Sequence, residues 1–199
     1  MPKKRKAVAP QPDLTAALKA VCQWLASLQV PFAIVGGVAA AAYGRARATK
    51  DVDATADLAG RDLEAALKLA KQFGIERRPE HAETFRRGSR VLLLQHAPTS
   101  TNIDVALALF AIEMKFLGRA RQVHIDDWSF PIATPEDILV MKLFAWRPQD
   151  VRDIENILAV QKRLNLKQVR EDIKGLAEIM EDPAIAARLD SVLKPMDES

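Results

Sequence analysis

Aspartate is a poor strand former, yet this chain places three aspartates where the sequence otherwise reads as apolar β-strand. Asp51-Val52-Asp53-Ala54-Thr55 opens on two of them, and Asp104 interrupts the run Ile103–Leu109. Residues two apart on a strand project from the same face, with Cα atoms about 6.6–6.8 Å apart. Two carboxylates so placed repel unless a cation lies between them. A D-x-D pair can also be a solvated edge, and a mid-strand acid can face water. If the Asp104 strand pairs beside the first, however, three carboxylates converge. Such hard oxygen donors suit Mg²⁺, which keeps several waters and binds nucleotide phosphates. Two such ions about 3.5–4 Å apart can clamp the attacking and leaving oxygens of an in-line displacement.

A second signal precedes the acids. A short apolar strand, Phe32–Val35, runs into Gly36-Gly37 and then a small-residue helix, Val38–Tyr43. Backbone N–H groups and a helix N-terminus at such a turn favour phosphate. Glycine also lets a ligand approach the backbone closely. The turn alone could serve only for tight packing. The order strand, Gly-Gly, helix, acid pair and later mid-strand acid is much more specific than any one part.

The remaining elements frame these signals. Asp13 can cap a helix with apolar positions Leu14, Leu18, Val21, Cys22, Leu25 and Leu28. Arg61–Phe73 reads as an amphipathic helix stopped by Gly74, and Arg77–Ser89 as a polar loop or hairpin entry. Strands are expected at Arg90–Gln95, Asn102–Leu107, Gln122–Ile125 and Phe130–Ile132, and a short helix over Phe110–Gly118. Thr134-Pro135-Glu136-Asp137 is a strong helix start, with a capping hydroxyl, proline at the first position and acids at the positive end of the dipole. Helix should follow to about residue 194, restarting at Pro148 and Pro183 and broken near Asn165. The sum is an α+β (α/β-like) chain: a tail over 1–12, a mixed core over 13–133 and a helical subdomain over 134–199.

Charge says less than it first suggests. The chain carries 29 Lys and Arg against 26 Asp and Glu, a formal +3. Four of those positive charges lie in the first six residues, so the rest nets −1. A basic N-terminal run without a following apolar segment does not read as a secretory signal. No apolar run reaches the roughly 18 residues of a membrane span. A single cysteine, Cys22, excludes an intrachain disulfide and fits a reducing, cytoplasmic setting. The arginines at 77, 78, 86, 87 and 90 could contact an RNA backbone, but Glu76, Glu80 and Glu83 dilute that field and favour a solvated loop. Trp24, Trp128 and Trp146 are expected to pack in the core.

The pattern resembles the DNA polymerase β-like nucleotidyltransferase superfamily: an apolar residue and two glycines, a gap, D-h-D, and a third acid on a later strand. The matching residues are Val35-Gly36-Gly37, Asp51-Val52-Asp53-Ala54 and Asp104. The wording around them is similar to the AbiEii-like toxin branch and its small relatives, with Gly36-Gly37-Val38-Ala39, Gly44 and Arg47-Ala48-Thr49-Lys50-Asp51-Val52-Asp53. Those relatives also carry a later helical motif, matched here by Lys142-Leu143-Phe144-Ala145-Trp146-Arg147-Pro148-Gln149-Asp150-Val151-Arg152-Asp153. The likeness spans roughly residues 30–160. Val38 stands where many active members place a serine, which leaves backbone amides to hold the terminal phosphate.

The resemblance implies a mixed-sheet nucleotidyltransferase core flanked by helices. It implies transfer of a nucleoside monophosphate from an NTP, with one or two Mg²⁺ on Asp51, Asp53 and Asp104. Gly36 and Gly37 would cradle phosphates, with Arg47 and Lys50 beside them. Lys142 would contact phosphate, and Asp153 would hold or activate the acceptor. RNA or tRNA as acceptor and a cognate antitoxin as partner are implied by the branch; a small-molecule acceptor is also open. Read from the residues alone, Lys142, Arg147, Asp150 and Asp153 fit an interhelical ion-pair cluster equally well. A non-catalytic module of the same fold, binding nucleotide or a protein, is the alternative function.

Overall fold

Helix α1 (Leu14–Ser27) shows how apolar spacing becomes core: its Leu18, Val21, Cys22 and Leu25 are buried on one face, together with Trp24. The Trp24 indole N–H donates to the Ala66 carbonyl oxygen at 2.9 Å, so its polar edge is satisfied in the interior. Burial pushes the Cys22 thiol up to about 12, which leaves it an unreactive core group. The computed structural model describes residues 14–45, 48–78, 90–125 and 127–197. Asp13 and the basic tail lie outside them.

The expected strands form β1 (Phe32–Ile34), β2 (Asp51–Ala56), β4 (Val91–His96), β5 (Thr101–Leu107), β6 (Arg121–Ile125) and β7 (Trp128–Ile132). A further short strand, β3 (Ile75–Arg77), which the sequence did not single out, pairs antiparallel with β4. The sheet order is β3-β4-β5-β2-β1-β7-β6. β2 runs parallel to β5, and β1 parallel to β7; the other pairs are antiparallel.

Between the strands lie α2 (Gly36–Tyr43), α3 (Leu63–Ala70) and α4 (Ala111–Arg119). Asp62 caps α3 by accepting from the N–H groups of Glu64 and Ala65. A tight turn then ends at Gly74, whose φ of +70° favours glycine. α4 starts without a capping side chain on Phe110. Glu113 instead reaches back to accept from the N–H groups of Leu109 and Phe110, both at 2.9 Å.

The last third is helical: α5 (Pro135–Ala145), α6 (Pro148–Val160), α7 (Leu166–Ile179) and α8 (Ala184–Asp197). Thr134 caps α5 by accepting from the Asp137 N–H, and its hydroxyl donates to Asp137 Oδ2 at 2.6 Å. Asp137 is fully buried, and burial pushes its carboxyl up against the pull of Thr134 and Arg119. Arg119 at the end of α4 pairs with both Asp137 and, at 2.8 Å, Asp172 of α7. One guanidinium thus ties the sheet layer to two C-terminal helices. Arg188 of α8 donates to the carbonyls of Leu143 and Phe144, the orphan acceptors at the end of α5. The fold is α+β, with seven strands and eight α-helices among the described residues. None of the helices described is long and apolar enough to cross a membrane.

Candidate active site

The register of β2 against β5 decides which acids meet. Asp51 pairs with Asn102, and Asp53 with Asp104. Asp53 and Asp104 are therefore direct neighbours on adjacent strands. On the other side of β2, the Val35 N–H donates to the Asp53 carbonyl oxygen at 2.9 Å. The chain then turns through Gly36 at φ +61° into α2. The Gly37 N–H donates to Asp53 Oδ2 at 3.3 Å. The glycine turn and the acid pair, expected to share a cavity, are in contact.

Gly36 is needed for that contact. A Cβ at this position would fall on the Asp53 side chain, 2.5 Å from its Cγ. Burial pushes the Asp53 carboxyl up; the Gly37 N–H and the charges of Lys142 and Arg147 pull it back, while Asp51 adds repulsion. The carboxylate is poised between desolvation and a cationic opposite wall.

That wall comes from the α5–α6 corner. Lys142 is buried on α5, with its Nζ 3.1 Å from Asp150 Oδ1 and 2.6 Å from Asp153 Oδ2. Gln149 donates to the other Asp153 oxygen at 3.0 Å. Arg147 grips Asp150 through its backbone N–H, Nε and Nη2. Burial opposes charge on Asp150, but the hydrogen bonds from Arg147 and Lys142 outweigh it and hold its carboxyl below the usual range. The stability this carboxylate contributes is present above the ordinary carboxylate range and is lost as pH falls through its lowered value. The interhelical ion-pair cluster is thus formed. It also faces the acids: Lys142, Arg147, Gln149 and Asp150 line the same cleft of about 480 Å³ as Gly36, Gly37, Asp51, Asp53 and Asp104. Lys142→Met should cost about 3–5 kcal/mol in chemical denaturation, because it removes the ammonium from between two buried carboxylates.

The other sequence candidates are placed as follows. Asp153 stands behind Lys142 and is reached through it. Thr49 lines the cleft, whereas Lys50 is exposed at the start of β2 and is not among the lining residues. Arg47 lies outside the described residues, as do His81, Arg86 and Arg87. The three acids open on one cleft, and as hard oxygen donors they suit a magnesium ion. As they stand, no group of three acids, histidines or cysteines among the described residues has metal-binding spacing. Asp53 accepts from the Gly37 N–H, and Asp104 is paired with Arg78. Arg78 carried no sequence signal that set it apart from neighbouring loop arginines. Arg147 did, as part of the helical motif.

This arrangement, a Gly-Gly turn on an acid, a second acid on the next strand and a helical wall bearing Lys and Arg, has a match at the level of family. The family described as nucleotidyltransferase of unknown function (DUF6036) matches residues 13–187. The chain is a nucleotidyltransferase of this family. No functionally curated protein matches this nucleotidyltransferase by sequence. Among solved structures, it is similar to the antibiotic-resistance factor ANT(2'')-Ia in solution. The TM-score is 0.58 at 16% identity, covering 84% of this chain and 92% of the other. It is also similar to the lincosamide antibiotic adenylyltransferase LnuA bound to lincomycin. There the TM-score is 0.51 at 13% identity, covering 76% of this chain and 99% of the other. At those identities the likeness is one of fold.

Proposed function

We propose that this nucleotidyltransferase moves a nucleoside monophosphate from an NTP to an acceptor hydroxyl in a divalent-metal-dependent reaction. An acceptor oxygen bonds to the α-phosphorus, the bond to the β-phosphate bridge breaks, and pyrophosphate leaves. The observation that carries this reading is the β2–β5 register, which sets Asp53 beside Asp104 on the floor of the cleft. Asp51, Asp53 and Asp104 would hold magnesium, which on binding neutralises developing phosphate charge. Asp104 would also take the acceptor proton. The backbone at Gly36 and Gly37 would cradle the phosphates, with no serine hydroxyl at position 38 to assist. Arg147, about three-quarters exposed at the rim, supplies a permanent positive charge to the triphosphate. Lys142 orders that rim through Asp150, and Asp153 fixes Lys142.

The acceptor class follows the sequence likeness to the AbiEii-like branch: RNA or tRNA, in a cytoplasmic toxin–antitoxin setting. A small-molecule acceptor is the second reading, supported by the shared fold with an antibiotic-resistance factor and a lincosamide antibiotic adenylyltransferase. Each NTP, labelled at the α-phosphate, should be incubated with the protein, Mg²⁺ and either bulk tRNA or an aminoglycoside panel. Label entering the tRNA supports the first reading, and label on the small molecule the second. NTP binding in a thermal-shift assay without transfer to either acceptor would overturn the catalytic proposal in favour of a nucleotide-binding module.

A further inference from the structure

Arg78 follows β3 at the edge of the sheet, two strands away from Asp104. Its backbone continues the β3–β4 pairing: the Arg78 N–H donates to the Leu93 carbonyl oxygen at 3.1 Å. Leu93 in turn pairs with Asp104, and Asp104 with Asp53. Arg78, Leu93, Asp104 and Asp53 therefore form one row across four strands. Strands lie about 4.8 Å apart, so a fully extended arginine can span the intervening Leu93. It does: Arg78 Nε donates to the Leu94 carbonyl oxygen at 3.0 Å, and Nη2 pairs with Asp104 Oδ1.

The consequence is specific to one oxygen. Asp104 Oδ1 is closed to solvent, although about a third of the Asp104 side chain remains exposed. Arg78 itself is largely buried, at 12% exposure. A half-buried ion pair adds little net stability. This one instead sits on the floor of the cleft, on a carboxylate that the proposed reaction needs.

We propose that Arg78 is a positioning residue that holds Asp104 in reserve, so that a divalent cation must compete with its guanidinium for the third carboxylate. The inference rests on the proposed reading that Asp51, Asp53 and Asp104 hold the metal. Asp53 and Asp51 then form the primary site. Asp104 joins only when the positive charge of the bound divalent cation outcompetes Arg78. The released guanidinium, still anchored at Leu94, stays close enough to face anionic phosphate.

Mn²⁺ binding, read by water-proton relaxation, tests this without turnover. Arg78→Met should bind Mn²⁺ about tenfold more tightly than the wild type. Arg78→Gln, which can still donate to the Leu94 carbonyl, should show the same direction and guards against a folding defect in the first variant. In an Asp104→Asn background the gain should largely vanish. An unchanged or weaker affinity in both Arg78 variants overturns the inference. So does an equal gain with and without Asp104, which would mark a long-range charge effect. If Mn²⁺ binds none of the proteins, the metal reading itself falls, and the inference with it; if only the Arg78 gain is missing, the metal reading stands.

Discussion

Asp53→Asn should abolish detectable nucleotidyl transfer, a fall of about a thousandfold or more, and leave the protein as stable as before. Several kcal/mol of charge stabilisation at the transferring phosphate depend on this carboxylate in the proposed mechanism, and each 1.4 kcal/mol is about tenfold in rate. The stability half of the prediction comes from the other side of the balance. Burial pushes the Asp53 carboxyl up, so the folded state carries a charge it disfavours at neutral pH. A group of this kind lends stability below its ordinary range and loses it as pH rises through its raised value. An amide of the same shape still accepts from Gly37 and carries no such cost. Transfer assays paired with thermal melts check both halves. A melting temperature that drops along with the rate would mean that Asp53 is structural.

Gly36→Ala should be the second severe variant, failing for a different reason. At φ +61° an alanine is strained by about 1–2 kcal/mol. Its Cβ would also land on Asp53, which must move. Overpacking of that kind adds about 1–3 kcal/mol, so stability and transfer should fall together, with activity reduced about a hundredfold or more as Asp53 is displaced. Gly60 is the internal control. It has φ +72° with open space around it. Gly60→Ala should carry the conformational cost alone, with transfer intact. Equal activity loss in both variants would refute the steric argument.

The chemistry was more legible than its wiring. Asp51, Asp53 and Asp104 stand out because acids are rare in strands, and the glycines because a strand-to-helix turn beside a carboxylate needs them. Thr134, Pro135 and Asn165 announce their helices through local capping rules. Longer-range partners leave no such trace. Asp137 reads as an acid favouring the dipole of α5, and nothing nearby says that Arg119 and Asp172 will close over it. Ile75–Arg77 is too short for a two-residue period to show, so β3 and the reach of Arg78 become visible only once β4 supplies a register. Phe110 has no side chain able to cap α4, and the work is done by Glu113 three residues on.

The two walls of the cleft have a common root. Ile34 of β1 pairs with Ile132 of β7, and the Ala133 N–H donates to the Ile34 carbonyl oxygen at 3.0 Å. Two residues beyond this ladder, one chain segment enters the Gly36 turn and the other reaches Thr134, the cap of α5. The mouth therefore cannot be widened at its base without breaking sheet hydrogen bonds. A ligand meets walls whose spacing was set during folding, so its binding need not supply the free energy to order them. Discrimination between substrates then falls to the exposed rim, where Arg147 stands.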